Sequence, residues 1–386
     1  MKILYICYNN PFGTSGGGTM ASHAYLRACC DIADRQLDLI CSSALEGAYD
    51  GSMNINKIYY APERSKLQRI MSPITGYMNR YVSYTKKFLN QHKNSYDIVV
   101  FDHSSIAGTL VEFVNKLGIK TVSIHHNYEK EYFEDNYHGL YKTIFLPHVI
   151  RWEKLAYRNS CLNLFLTAQD MNAFSKVYGF SKGKNHLIGA YEFHDYVDDS
   201  TVDVRPSELP LTFAITGSLC DYQTIDAIKY FFEELYCFLP IGCKVLIAGR
   251  NPDIVVQTLC SSHSNVELIS NPTNMNDVLA KADIYLCTTR LGGGLKLRVM
   301  DGLKNGLPVI THSCSARGFD AFYGLQIFKI FSSPEEFRNA VIEIISDIDK
   351  GIMDRLAVKR IYKDNFSYDV GLNRMRTIFK QTFDFV

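Results

Sequence analysis

Short, unbroken apolar runs alternate with longer amphipathic stretches along the whole of this 386-residue chain. In the first half the runs are KILYIC (2–7), LDLICS (37–42), DIVVF (97–101), KTVSIH (120–125) and LNLFLT (162–167). The second half adds LTFAIT (211–216), KVLIAG (244–249), VELI (266–269), DIYLC (283–287) and LPVIT (307–311). A strand with one wet face alternates polar and apolar residues, whereas a parallel strand covered on both faces reads as a continuous apolar run. These runs are of the second kind. Helical segments lie between them, for example 19–34, 223–238, 333–348 and 368–382. The alternation predicts a doubly wound α/β protein.

The pattern starts twice. MKILYICYNNPFGTSGGG opens the chain with a strand and a glycine loop, and LTFAITGSLCDYQTIDAIKYF opens again near residue 211. HDYVDDSTVDVRPSELP (194–210), polar and acidic with two prolines, reads as a linker. The expected organisation is therefore two Rossmann-like domains, 1–193 and 211–367, facing across a cleft. Ligands in such sheets bind beyond the carboxyl ends of the strands.

One stretch at such an end carries most of the candidate chemistry. Ala282 to Asp320 reads as strand, glycine turn, helix, strand and turn. Gly292, Gly293 and Gly294 let the backbone approach a ligand closely. A helix is expected from about Leu297 to Lys304, stopped by Asn305-Gly306. A helix N-terminus suits phosphate, and the dipole there disfavours the cations Lys296 and Arg298 unless an anion accompanies them. Asp301, one turn on, could accept bonds from hydroxyl groups.

Composition narrows the partners. Basic and acidic residues nearly balance, 41 against 40, which argues against a dedicated nucleic-acid binder. The 11 cysteines show no CxxC pair and no zinc-type spacing, and reduced thiols in a cytoplasmic protein are the plain reading. The first apolar run is too short for a signal peptide, and no run approaches the ~20 apolar residues of a membrane span.

Taken in order, these residues resemble the GT-B-fold retaining glycosyltransferases of the large family 4, or group 1, type. That family's second domain carries a stretch of the type G-G-T-R-L-K-I-L-E-A-M-A-x-G-x-P-V-V-x-T. Here it stands as Gly293-Gly294-Leu295-Lys296-Leu297-Arg298-Val299-Met300-Asp301 and onward to Pro308-Val309-Ile310-Thr311, closed by the turn Ser315 to Phe319. Thr216-Gly217-Ser218-Leu219, Gly16-Gly17-Gly18 and His126-Asn127 match other elements. The resemblance implies a nucleotide-sugar donor in the second domain and a saccharide or lipid-linked acceptor, within cell-surface polysaccharide assembly. It places Gly16, Gly17 and Gly18 by the donor diphosphate and His126 by the transferred sugar. Gly217 and Ser218 flank the diphosphate, and Gly249 and Arg250 lie near the base. Lys296, with Arg298 and Arg290, meets the phosphate charge, Gly293, Gly294 and Leu295 line the turn, and Asp301 takes the ribose. The final helix, about 368–386, would return to the first domain.

The chain departs from the family at three points. Eight residues before Asp301 stands Gly293 where many members have a carboxylate, Ser218 stands where many have the first of an Arg and Lys pair, and Arg317 replaces a glutamate. No DxD-like cluster occupies a suitable loop, and Asp198-Asp199 reads as a solvated run in the linker. Neither cofactor nor metal is expected, with Lys296 as principal cation. The glycines are not a GxGxxG fingerprint followed by a ribose-binding acid, so a nicotinamide site is not expected.

The bland alternatives are ordinary ones. Gly16 to Gly18 could be a flexible turn, His126 a satisfied core histidine, and Lys296, Arg298, Arg250 and Asp301 solvated charges. Glu129 reads first as part of a solvated helix face. The segment from Lys57 to Lys87 has seven basic residues (Lys57, Arg64, Lys66, Arg69, Arg80, Lys86, Lys87) against Glu63, interleaved with Ile70, Met71, Tyr77, Met78 and other apolar residues. It is either an amphipathic helix pair packed on the domain or a peripheral contact with an anionic membrane. Two rival functions stay open: a nucleotide-sugar epimerase or hydrolase, which would want more carboxylates, and a non-catalytic nucleotide-sugar binding subunit.

Overall fold

The computed structural model describes residues 1–13, 16–43, 47–62, 65–75, 81–180, 183–193 and 210–383. The expected linker, except Pro210, and with it Asp198-Asp199, lies outside these residues, as do Glu63, Arg64, Tyr77, Met78 and Arg80. The chain divides into two compact units, one of residues 1–195 with 368–386 and one of 196–367.

Unit 1 is built on a seven-stranded parallel sheet: β1 (Ile3–Cys7), β2 (Leu37–Cys41), β3 (Lys57–Tyr60), β4 (Ile98–Asp102), β5 (Lys120–His125), β6 (Leu162–Phe165) and β7 (Asn185–Leu187), in the order 3-2-1-4-5-6-7. Its helices up to residue 180 are α1 (Gly16–Ala33), α2 (Lys66–Ile70), α3 (Ser72–Thr75), α4 (Val82–Gln91), α5 (Ser104–Lys116), α6 (Glu129–Asn136), α7 (Gly139–Asn159) and α8 (Ala168–Tyr178). Every residue of β1, β2 and β4 is buried, which is why these strands read as unbroken apolar runs. The core joins Leu4, Ile6, Val99 and Phe101 of the sheet to Ile106, Leu110 and Val114 of α5 and Phe88 and Leu89 of α4. Each such side chain, fully buried, contributes about 1.5–3 kcal/mol. Gly108 of α5 lies against the backbone of Trp152 in α7, so closely that a Cβ would stand 2.0 Å from its carbonyl oxygen.

Unit 2 is a second parallel sheet, β8 (Thr212–Ser218), β9 (Lys244–Arg250), β10 (Val266–Ser270), β11 (Ile284–Cys287), β12 (Val309–His312) and β13 (Phe328–Phe331), in the order 10-9-8-11-12-13. Its helices are α9 (Tyr222–Tyr230), α10 (Ile254–Ser261), α11 (Met275–Leu279), α12 (Arg298–Lys304), α13 (Ser313–Ala316), α14 (Pro334–Asp349) and α15 (Arg355–Phe366). The expected helix 223–238 is α9, followed by a π turn at Phe231–Leu235 and a 3₁₀ turn at Tyr236–Phe238. The last helix, α16 (Tyr368–Phe383), packs against α1 in unit 1, where Tyr368 donates to Asp31 at 2.6 Å.

In both sheets the strand order reverses at the first strand, between β2 and β4 about β1 and between β9 and β11 about β8. Such a switch point opens a crevice at the carboxyl ends of the strands. One expectation is corrected here. Gly16, Gly17 and Gly18 do not form a loop; they are the first turn of α1. Glycine is tolerated in a first turn because the leading N–H groups have no intrahelical partner to lose.

Candidate functional site

In unit 2 the switch point is occupied by the turn after β11. Gly292 and Gly294 take φ of +81° and +73°, the left-handed region that glycine enters without penalty. The turn curls so that the carbonyls of Gly292 and Gly293 each accept from Lys296 Nζ at 3.0 Å, with Gln223 Oε1 at 3.4 Å. The lysine is 8% exposed. Burial, the largest cause, pushes its pKa down; Arg298 and Arg317 push it the same way, while the Cys314 and Cys287 thiols pull against them. The ammonium is thus buried on neutral oxygens with cations for neighbours, a costly arrangement without an anion.

Arg298 is held in the same manner. Its Nη2 donates to Thr224 Oγ1 at 3.0 Å and its Nη1 to Thr289 Oγ1 at 3.3 Å, again neutral partners. The guanidinium lies over Gly217, where a Cβ would stand 2.9 Å from Nη1. Gly217, Thr224, Lys296, Arg298 and the glycine turn therefore converge. Ser218 ends β8 beside them, Leu295 is half-buried in the turn, and Asp301 is half-buried in the first turn of α12. Gly249 serves the strand packing. It pairs with Gly217 across the sheet, and a Cβ on it would stand 1.8 Å from the Gly217 oxygen. Arg250, at the end of β9, is exposed.

Arg290 is drawn elsewhere. Its Nε and Nη2 donate to the two oxygens of Asp226 at 3.0 and 3.2 Å, Glu234 lies 3.7 Å away, and the guanidinium rests 4.3 Å over Tyr230. Two carboxylates already answer its charge, whereas the hydrogen-bond partners of Lys296 and Arg298 are neutral.

In unit 1 the switch point holds a buried carboxylate and a histidine. Asp102 closes β4 and pairs in register with Cys7 at the end of β1. Its Oδ1 meets His126 Nε2 at 2.5 Å, and Oδ2 accepts from Cys7 Sγ at 3.2 Å, while the carboxylate also accepts from Ser22 of α1. Burial favours the neutral acid, but His126 and the other donors outweigh it and hold Asp102 below the ordinary carboxylate range. Burial likewise pushes His126 down, and Asp102, with Glu129, overcomes it, so the imidazole keeps its proton to higher pH than a free histidine. His103 stacks on His126 with ring centroids 6.0 Å apart, and its Nε2 lies 3.3 Å from Glu129 Oε1. His103 caps α5 with φ +137°, a strained value for a residue with a Cβ. Glu129, read from sequence as part of a solvated face, is instead buried, and its N–H donates to the buried Glu153 at 2.6 Å. His125 has a structural role: it binds Ser104 and Asn163, stacks on Phe165, and burial lowers it to about 4.

Residues 210–347 match the family described as "Glycosyl transferases group 1". The chain is similar over 99% of its length and all of theirs to the Anabaena HepE protein crystallised with UDP (TM-score 0.69, 12% identity) and to the apo lipopolysaccharide outer core galactosyltransferase WaaB (0.69, 12%). It is similar over the full length of both chains to sucrose-phosphate synthase from Thermosynechococcus elongatus (0.71, 12%). No curated protein matches the chain by sequence. The chain has the GT-B fold, and its second unit matches the group 1 glycosyl transferases.

Within this GT-B chain the groups that sequence reading missed are Asp102, His103, Gln223, Thr224 and Thr289. Asp102 alone left a trace, a carboxylate closing the otherwise apolar strand IVVFD. Gly17 and Gly18 are exposed at the start of α1, and among the described residues no atom lies within 4 Å of where a Cβ on Gly18 would stand. Among the described residues, no group of three or more His, Cys, Asp or Glu side chains is placed to hold a metal ion, and no helix is long and apolar enough to cross a membrane. None of the 11 cysteines forms a disulfide.

Proposed function

We propose that this protein is a retaining, metal-independent glycosyltransferase that moves a sugar from a nucleotide-diphosphate donor to a saccharide or lipid-linked acceptor in cell-surface polysaccharide assembly. The observation that carries the proposal is the buried Lys296 ammonium, held on the neutral carbonyls of a glycine turn with Arg298 beside it. A diphosphate supplies the missing negative charge there. Because Lys296 is buried and Arg298 half-buried, the two cations act on the departing diphosphate more strongly than they would in bulk water. In the transfer the bond from the anomeric carbon to the diphosphate oxygen breaks and a bond to the acceptor oxygen forms. The acceptor's hydroxyl proton passes to the leaving diphosphate, so no separate side-chain base is required. Asp301 accepts from the nucleotide ribose.

The acceptor is assigned to unit 1, where His126, fixed by Asp102, offers a polar group to a sugar hydroxyl. Uridine donors are the first to test, because HepE has been crystallised with UDP and with UDP-glucose. The test is release of nucleoside diphosphate from a panel of nucleotide sugars, with and without acceptor mixtures and with EDTA throughout. Acceptor-dependent, EDTA-insensitive release with the donor anomer retained supports the proposal. Release at the same rate without acceptor points to a hydrolase, and donor binding with no release in any mixture points to a binding subunit.

A further inference from the structure

We propose that an aromatic shelf on α6 and α7 of unit 1 holds the second sugar ring of a saccharide acceptor, a reading that deepens the transferase function and rests on it. Glu129, Phe133, Tyr137, Tyr141 and Phe145 follow one another at a spacing of four residues, one helical turn each. The Tyr137 N–H closes α6 on the Phe133 carbonyl at 3.1 Å, and Tyr141 and Phe145 lie one turn apart in α7. Ring contacts carry the row across the break between the helices. Centroids are 4.4 Å apart from Phe133 to Tyr137, 5.3 Å from Tyr137 to Tyr141 and 4.6 Å from Tyr141 to Phe145. The ends of the row, Phe133 and Phe145, are buried, while Tyr137 is 36% exposed and Tyr141 44%. Anchored at both ends, the two tyrosines present ring surface with little rotamer freedom left to lose on binding.

The row starts at the unit 1 site. Glu129 opens α6, and its Oε1 lies 3.3 Å from Nε2 of His103, the ring stacked on His126. Phe133 stands one turn beyond Glu129, and both are buried. The Tyr137 hydroxyl is close enough to Glu129 to feel its charge: burial raises its pKa, and Tyr141 and Glu129 add to the rise. The shelf is thus continuous with His126, not a detached patch.

Its chemistry selects the occupant. A sugar ring has a face of C–H groups and an edge of hydroxyls, and tyrosine answers both, with its ring against the face and its phenol toward the edge. α6 carries four acids, Glu129, Glu131, Glu134 and Asp135, against one base, Lys130, itself paired with Glu134 at 3.0 Å. A phosphate-bearing surface would meet like charge there, and a hydrocarbon tail would lie against hydroxyls and carboxylates that prefer water. A neutral or amino sugar meets neither obstacle.

NMR titration of the full chain with glucose, galactose, mannose and N-acetylglucosamine, and with disaccharides of each, tests the proposal. At least one disaccharide is expected to bind at least about tenfold more tightly than its monosaccharide. Tyr137→Ser/Tyr141→Ser should remove that gain, and Tyr137→Phe/Tyr141→Phe, which keeps the rings, should retain it within about threefold. Fluorotyrosine incorporated into the wild type gives a second reading that needs no serine variant. The Tyr137 and Tyr141 fluorine signals, assigned by their loss in the single phenylalanine variants, should shift with the disaccharide and not with the monosaccharide. No disaccharide gain, a gain that survives the serine variant, or fluorine signals that stay in place overturns the proposal. So does a gain for octyl glucoside over glucose with none for any disaccharide, which would assign the shelf to a hydrocarbon tail. Nucleoside diphosphate binding by the same samples separates the two readings. Where wild type and serine variant bind the nucleotide alike, failure with the saccharides sinks the shelf alone; where neither binds any nucleotide, the transferase reading fails and the shelf falls with it.

Discussion

Replacing Lys296 with methionine separates the anion-binding role of this residue from its role in folding. The substitution keeps most of the length of the buried stem and removes the ammonium. The Gly292 and Gly293 carbonyls and Gln223 Oε1 each lose one donor, which disfavours folding, although the Gly292 carbonyl still accepts from Cys314 Sγ at 3.1 Å. Against this, the variant no longer buries a charge that its surroundings disfavour, as the lowered lysine pKa records. The two effects oppose each other, so stability should change by no more than about 2 kcal/mol in either direction. Nucleotide binding has no such compensation. A charged hydrogen bond to phosphate is worth about 1.5–3 kcal/mol, and two unit charges 4 Å apart at an effective dielectric of 20 interact by about 4 kcal/mol. A loss of about 2–3 kcal/mol raises Kd by about 30- to 150-fold. The assay is calorimetric titration with the nucleoside diphosphate, with urea unfolding of the same samples. A folded variant whose Kd stays within about threefold of wild type would refute the reasoning. The pH dependence has a definite sign. The folded lysine loses its proton at lower pH than a free lysine, so wild-type affinity falls, and folding stability rises, as pH climbs through that range toward 10.5.

Three further outcomes follow from the same geometry. In Asp102→Asn, burial of His126 is opposed by little besides Glu129, so its imidazole should titrate below 6.5 where the wild type titrates above it; an NMR titration with unchanged midpoints sinks the pairing. Burial, reinforced by Glu129 and Asp170, raises the carboxyl of Glu153 well above its ordinary value despite its two hydrogen bonds. Its contribution to stability is therefore present below about pH 4.5 and lost as pH rises through the raised value, by up to about 1.4 kcal/mol per pH unit, and Glu153→Gln should abolish that slope in urea unfolding. Gly249→Ala places a Cβ where the Gly217 oxygen stands and should cost more than about 3 kcal/mol or prevent soluble expression; a variant within about 1 kcal/mol of wild type contradicts the strand packing.

What the sequence disclosed follows from burial. Central strands such as β1, β2 and β4 are covered on both faces and so announce themselves as apolar runs. The strands not foreseen, β3 (KIYY), β7 (NHL) and β13 (FKIF), lie at sheet edges, where half-exposed positions interrupt the run. The stop of α12 was legible because Gly306 takes φ +71°, the left-handed turn that glycine supplies. The side-chain partners were not legible. His126 meets Asp102 across adjacent strands 24 residues apart, and Arg290 meets Asp226 across 64 residues. Nothing local in either segment signals those pairings. Ile70 of α2 and Met71 beside it read from the sequence as apolar positions, but whether they are covered depends on the rest of unit 1, which leaves both exposed.

The central claim is that unit 2 binds a nucleotide diphosphate through fixed cations. Melting of the wild-type protein against a panel of nucleoside diphosphates and nucleotide sugars, each with and without EDTA, tests it most directly, because a ligand that binds the folded state must raise the melting temperature. The account predicts a selective rise for one base, unchanged by EDTA. A well-folded sample that shows no rise with any member of the panel, or a rise that EDTA removes, contradicts it.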